Sequence, residues 1–184
     1  MRIIMALLLV IFAAAIPLSA QTQVQVFVPG NATGAFGHPV DIVVPFVPAI
    51  TVTSPATITV TYDSGTIVWT AGGEPTGPNG AVCENCVAQS PLQEGRALGR
   101  APKPDKMAAL IGVFVPAARA GDPQFKAVDG TKNIAHLGIL PGSLFFIGEN
   151  ETLDVKEAGT LFLGINDWAS ADNVGGFNVT VTGP

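Results

Sequence analysis

Charge is scarce in this 184-residue chain, where Asp, Glu, Lys and Arg together make up 12% of the residues. Nine of them are basic and fourteen acidic, for a net charge of −5. So few cations leave nothing to grip a phosphate backbone, and nucleic acid is not an expected partner. Histidine is almost missing as well. His38 and His136 stand in separate turns with no serine or cysteine paired to them, so a catalytic triad has no support. After the first twenty residues no apolar run is long enough to cross a bilayer. No internal repeat is visible, and the twelve-residue acidic spacing of an EF-hand, closed by a glutamate, is absent.

Cysteine occurs twice, as Cys83 and Cys86 in AVCENCVAQ. In an exported protein this spacing suggests a small local disulfide, whose use is to shape its loop, because closing so short a ring removes little denatured-state entropy. A redox pair would want a strand-to-helix setting that the neighbouring residues do not suggest. Zinc would want nearby histidines or a second cysteine pair, and neither is present.

The chain opens on MRIIMALLLVIFAAAIPLSA, with Arg2, an apolar run from Ile3 to Ile16, and small residues up to Ala20. This is the pattern of a secretory signal peptide over 1–20, with cleavage near Ala20 and a secreted product that is periplasmic, extracellular or held at the cell surface. The run is short of the roughly 20 residues of a spanning helix. Residues 21–184 then form one domain of ordinary size, with eight basic residues left against the fourteen acids.

What is abundant is glycine (21) and proline (15), with Thr and Val alternating in several runs. That composition predicts an all-β domain rich in turns. TQVQVFV places Val24, Val26 and Val28 on one side of a first strand. In VDIVVPFVPAITV, Pro45 and Pro48 remove ladder donors and predict an edge strand or an extended wrap, not a central strand. ATITVTYDSG reads as a strand with Ile58, Val60 and Tyr62 on one face, ended by a turn at Asp63-Ser64-Gly65. From Ala71 to Lys106 the chain is irregular, and a loop that long is usually functional or disordered. MAALIGVFVP and GSLFFIGEN restore strands, whereas the acids of GENETLDVKEAG (Glu149, Glu151, Asp154, Glu157) read as a solvated loop rather than a glycosidase pair. About seven to eight antiparallel strands fit a two-sheet sandwich.

The closing stretch, GTLFLGINDWASADNVGGFNVTVTGP, carries the most functional information. Leu161, Leu163 and Ile165 alternate, as do Phe177, Val179 and Val181, so two strands with one buried face each are expected, joined as a hairpin. The connection holds Asp167, Asp172 and Asn173, with Gly175 and Gly176 behind them to let the backbone turn. Carboxylate and amide oxygens of this kind suit a hard cation such as Ca2+, and they equally suit an ordinary turn.

With TVTYDSG, the GPNG at Gly77 to Gly80, the ALIG at Ala109 to Gly112 and this terminal block laid out in order, the chain resembles the soluble, calcium-dependent galactophilic lectins of bacteria. The likeness runs from about Thr57 to Thr182. It implies a galactose-binding-like jelly-roll β-sandwich and a calcium ion at one end of it, with two sugar hydroxyls completing the coordination shell. It assigns side-chain ligands to Asp167, Asp172 and Asn173, and backbone carbonyl ligands to Trp69 and Ala171. Sugar contact through the ion falls to Asp167 and Asp172. From the residues themselves, Trp69 and Trp168 suit either stacking on a sugar face or packing in the core or rim, and Trp168, directly after Asp167, is the better placed for contact. The resemblance implies a secreted, non-enzymatic binder of galactosides or related carbohydrate, and lectins of this kind gain avidity as homo-oligomers. Members carry His and Gln side chains before the cysteines, and Gly80 to Gln93 holds no histidine, so the ion is implied more directly than galactose. A second expectation is a structural or adhesive surface module in which calcium only stiffens the terminal segment. A third is a carbohydrate-active enzyme using Glu149 or Glu151.

Overall fold

The structure is a computed structural model that describes residues 21–33, 44–89, 103, 105–122, 144–167 and 170–184. The expected leader (1–20), His38, His136 and Trp168 lie outside the described residues. Strands dominate the rest: β1 (Thr22–Pro29), β2 (Val47–Val52), β3 (Ala56–Val68), β4 (Ala81–Val82), β5 (Lys106–Met107), β6 (Leu110–Pro116), β7 (Leu144–Phe146), β8 (Asn150–Val155), β9 (Gly159–Ile165) and β10 (Val174–Gly183). Single turns of 3-10 helix at Glu84–Gln89, Ala117–Arg119 and Ser170–Asp172 are the helical elements among the described residues.

Two four-stranded antiparallel sheets, in the orders β1-β10-β3-β8 and β2-β9-β6-β7, share one apolar core, and β4 and β5 form a small separate ribbon. The arrangement is all-β and sandwich-like. Period-two alternation supplies the core directly, since Val26, Val28, Ile58, Val60, Phe177, Val179 and Val181 of one sheet meet Leu161, Leu163 and Ile165 of the other. Each such side chain taken fully out of water contributes about 1.5–3 kcal/mol. The second sheet is apolar on both faces. Ile111, Val113 and Val115 of β6 join Phe46 and Leu144 in a second cluster on the face away from the shared core.

Proline acts as expected in β2, which lies at the sheet edge and slips register between Pro48 and Ile50. Three other expectations are corrected. The closing strands are not a hairpin: β9 lies between β2 and β6 in one sheet and β10 between β1 and β3 in the other, so the connection crosses from sheet to sheet. Asp63-Ser64-Gly65 does not end a strand either. β3 runs on for 13 residues to Val68, and the extra residue is absorbed as a β-bulge opposite Asn178 and Val179. The acidic segment read as a loop contains edge strand β8, in which Leu153 and Val155 reach the core and Asp154 accepts a 2.8 Å hydrogen bond from the Thr57 hydroxyl of β3.

Glycine in β3 and β10 serves close approach rather than a turn. Gly65 (φ +108°) and Gly175 (φ +95°) lie inside β3 and β10, where an added Cβ would run into the carbonyls of Gly176 and Thr66. Beside the bulge the Tyr62 hydroxyl donates to the Gly65 carbonyl at 2.7 Å, and its ring meets Phe177 edge-on, centroids 5.9 Å apart. Tyr62→Phe keeps the ring contact and removes only the hydrogen bond. Urea denaturation is therefore expected to show a loss of about 1 kcal/mol; no loss would mean that water replaces the hydroxyl at no cost.

Candidate functional site

The polypeptide reaches the candidate site through a clamp at the end of β9. The Ile165 amide donates to the Ala32 carbonyl at 2.9 Å, and Asn166, fully buried, is held from three directions. Its amide donates to Ala109 at 2.9 Å, its carbonyl accepts from Ala108 at 2.9 Å, and its Nδ2 donates to the Lys106 carbonyl at 2.8 Å. Ala108 adopts φ 56°, a left-handed conformation uncommon for alanine, at the centre of this clamp. Asp167 follows immediately. It is 3% exposed, in a position where carboxylates are rarely found unless something compensates their charge.

The far side of the connection is built differently. After the 3-10 turn Ser170–Asp172, in which Ala171 and Asp172 are exposed, Asn173 is half-buried and leads into β10. Its Nδ2 donates to the Gly30 carbonyl at 2.8 Å, and the Gly30 amide donates to the Gly175 carbonyl at 2.9 Å, so the end of β1 is tied to the start of β10. A carbonyl only accepts, which fixes the Asn173 amide with its oxygen on the opposite side. That Oδ1 is buried and accepts no hydrogen bond, and the same holds for the Oδ2 atom of Asp167. Leaving a buried acceptor unsatisfied costs about 1–3 kcal/mol, so a structure that does so in adjacent segments calls for an explanation.

Register places a further expected ligand. Val68 of β3 pairs with Val174 of β10, and one step beyond that pair brings Trp69 to the Asn173 side of the sheet end. Trp69 is half-buried and its indole packs against the core. Asp167, Ala171, Asp172, Asn173 and Trp69 thus belong to the β9–β10 connection and the strand end next to it. Trp168, the expected sugar-stacking residue, lies outside the described residues.

No family model matches the sequence, and no curated protein matches it at a significant level.

The cysteines connect to the same region. Cys83 and Cys86 are joined, with Cα atoms 5.2 Å apart, at the start of the 3-10 turn Glu84–Gln89. The Cys83 amide donates to Asp105 at 2.9 Å, and β4 pairs with β5, so the disulfide loop is carried on the ribbon whose Lys106 carbonyl holds Asn166. Sequence reading missed Asn166. Its one signal was a polar residue placed directly after the apolar alternation of Leu161, Leu163 and Ile165.

The fit of this donor set to a cation can be tested on its own atoms. Among the described residues no three His, Cys, Asp or Glu side chains stand together as a group that could hold a metal ion. The expected ligands, two carboxylates, one amide oxygen and two backbone carbonyls, are all oxygen donors. A hard cation of the calcium type prefers oxygen donors, and the buried Oδ1 of Asn173, which accepts no hydrogen bond, fits that preference. Glu149 and Glu151, the acids of the enzymatic expectation, belong to a different place, the turn into β8 and its first residues.

Proposed function

We propose that this protein is a secreted, non-enzymatic carbohydrate-binding protein of the calcium-dependent galactophilic type, with its two sheets arranged as a galactose-binding-like jelly roll. The observation that carries the reading is the buried, unsatisfied Oδ1 of Asn173, fixed in orientation by the Gly30 carbonyl, in the connection that also holds the buried Asp167. Asp167, Asp172 and Asn173, with the carbonyls of Trp69 and Ala171, would hold Ca2+. When bound, the ion supplies a positive centre with coordination positions left for two vicinal sugar hydroxyls.

The chain's own residues do the rest. Asp167 and Asp172 balance a double positive charge, so a neutral sugar meets a neutral site. Exposure differs between them in a useful way: Asp167 is sealed from water, whereas Asp172 and Ala171 stand at the surface, which gives the site a closed floor and an open rim. The clamp on Asn166 and the anchor from Asn173 to Gly30 hold the two ends of the connection, so little ordering is needed when a ligand arrives.

Isothermal titration of the protein with methyl galactosides, with and without chelator, tests this. Heat is expected only with calcium, and Asp172→Ala should remove it. No heat in either condition would overturn the lectin reading. Calcium-dependent thermal stability without sugar binding would favour a structural module instead.

A further inference from the structure

The bulge in β3 has an effect on the solvent face of its sheet. An extra residue turns two consecutive side chains, Asp63 and Ser64, outward on one side, where regular alternation would send one of them into the core. Asn178 of β10 stands opposite Ser64 and donates to its hydroxyl at 3.1 Å. Thr180 donates to Asp63 at 2.7 Å, which holds that carboxylate against the sheet. On the other side of β10, Phe27 of β1 pairs with Asn178 and is 55% exposed, an unusual place for a large apolar ring. Its ring leans diagonally onto Gly176, where an added Cβ would come within 2.6 Å of Cζ and 2.8 Å of Cε2. The glycine seats the ring, and the rest of the ring faces water.

We propose that this face carries a metal-independent saccharide-binding site. These residues belong to the lining of an open, shallow depression of about 420 Å³, formed by Gln25, Val26, Phe27, Asp63, Ser64 and Asn178, a size in the range of about 300–1,000 Å³ used for small ligands. The chemistry of the lining selects the ligand. Sugar hydroxyls both donate and accept, and so do the amides of Gln25 and Asn178 and the hydroxyl of Ser64, while Asp63 accepts. A pyranose also presents an apolar C–H face, which an aromatic ring held on a backbone notch receives with little loss of freedom. The lining holds no basic side chain to attract an anionic ligand. A cationic amine would use Asp63 and the ring but offer no acceptor to the Gln25 amide or to the second N–H of the Asn178 amide, whose first bonds Ser64.

The site does not rest on the calcium reading. Asn178 lies five residues along β10 from Asn173, about 16 Å at strand rise, and none of the expected calcium ligands lines the depression. The test uses 15N-labelled protein in excess chelator, titrated with methyl β-galactoside, methyl α-glucoside, lactose and cellobiose, with choline as the cationic competitor. At least one glycoside is expected to shift the backbone amides of Phe27, Ser64 and Asn178. Asp172→Ala should leave that shift unchanged, and Phe27→Ala should weaken binding about tenfold. Phe27→Leu still covers Gly176 while removing the aromatic face, so it should keep the thermal midpoint and lose affinity to a similar degree. Absence of shifts with all four glycosides, shifts that survive both Phe27 substitutions, shifts that need calcium, or shifts from choline alone would each overturn the proposal.

Discussion

Phe177→Ala is expected to lower the unfolding free energy by about 3–5 kcal/mol, the usual cost of emptying a fully buried aromatic site. Phe177 is inaccessible to solvent and belongs to the core shared by both sheets. It pairs with Gly65 just past the bulge and takes the edge of Tyr62 at 5.9 Å between centroids. Relaxation into the space is limited on two sides, because the close approach of Gly65 to Gly176 leaves the backbones nowhere to move and Tyr62 is fixed by its own bond to Gly65. Domains of this size have about 5–15 kcal/mol in total, so the variant should stand near its threshold for folding. Urea denaturation checks it, with the midpoint falling and the slope kept. Phe177→Leu, closer in volume, should lose less than about 2 kcal/mol. A loss below about 1 kcal/mol for the alanine variant would mean that the two sheets close over the gap, contrary to the packing described.

Those core residues were legible because alternation is a local property. Leu161, Leu163 and Ile165, and Phe177, Val179 and Val181, reach the core by period two alone, whatever sheet their strand joins. What was not legible depends on partners distant in sequence. A polar connection between two such strands reads the same whether it closes a hairpin or crosses between sheets, and β9 and β10 cross. Asp63, Ser64 and Gly65 favour turns, yet the same residues suit a bulge, and the pairing of Asn178 and Val179 on β10 decides between them. In β8 the acids hid a short alternation, Leu153 and Val155, that becomes visible only beside Thr57. The candidate site divides in the same way. Asp167, Asp172 and Asn173 are adjacent enough in sequence to be named together, whereas the clamp on Asn166 comes from Lys106, Ala108 and Ala109, about sixty residues earlier, and the anchor of Asn173 from Gly30.

Asp167→Asn separates the roles of charge and shape at the proposed ion site, and its effect should depend on calcium. In calcium well above the dissociation constant, an ion bound only by the native state stabilises it by RT ln(1 + [L]/Kd), about 4 kcal/mol at a thousandfold excess. The wild type should show that gain as a higher thermal midpoint. The asparagine variant, near-identical in size but without a charge to balance the ion, should show little of it. In chelator the comparison is expected to reverse. A carboxylate only 3% exposed carries a desolvation cost that the neutral amide does not, so the variant should unfold at the same temperature as the wild type or above it. The signature is thus a crossing of the two melting points with calcium, read by scanning calorimetry at both extremes. A simple loss of stability in the variant under both conditions would assign Asp167 a packing and hydrogen-bonding role alone. An equal rise with calcium in both proteins would move the ion elsewhere and leave the unsatisfied oxygen of Asn173 without its proposed partner.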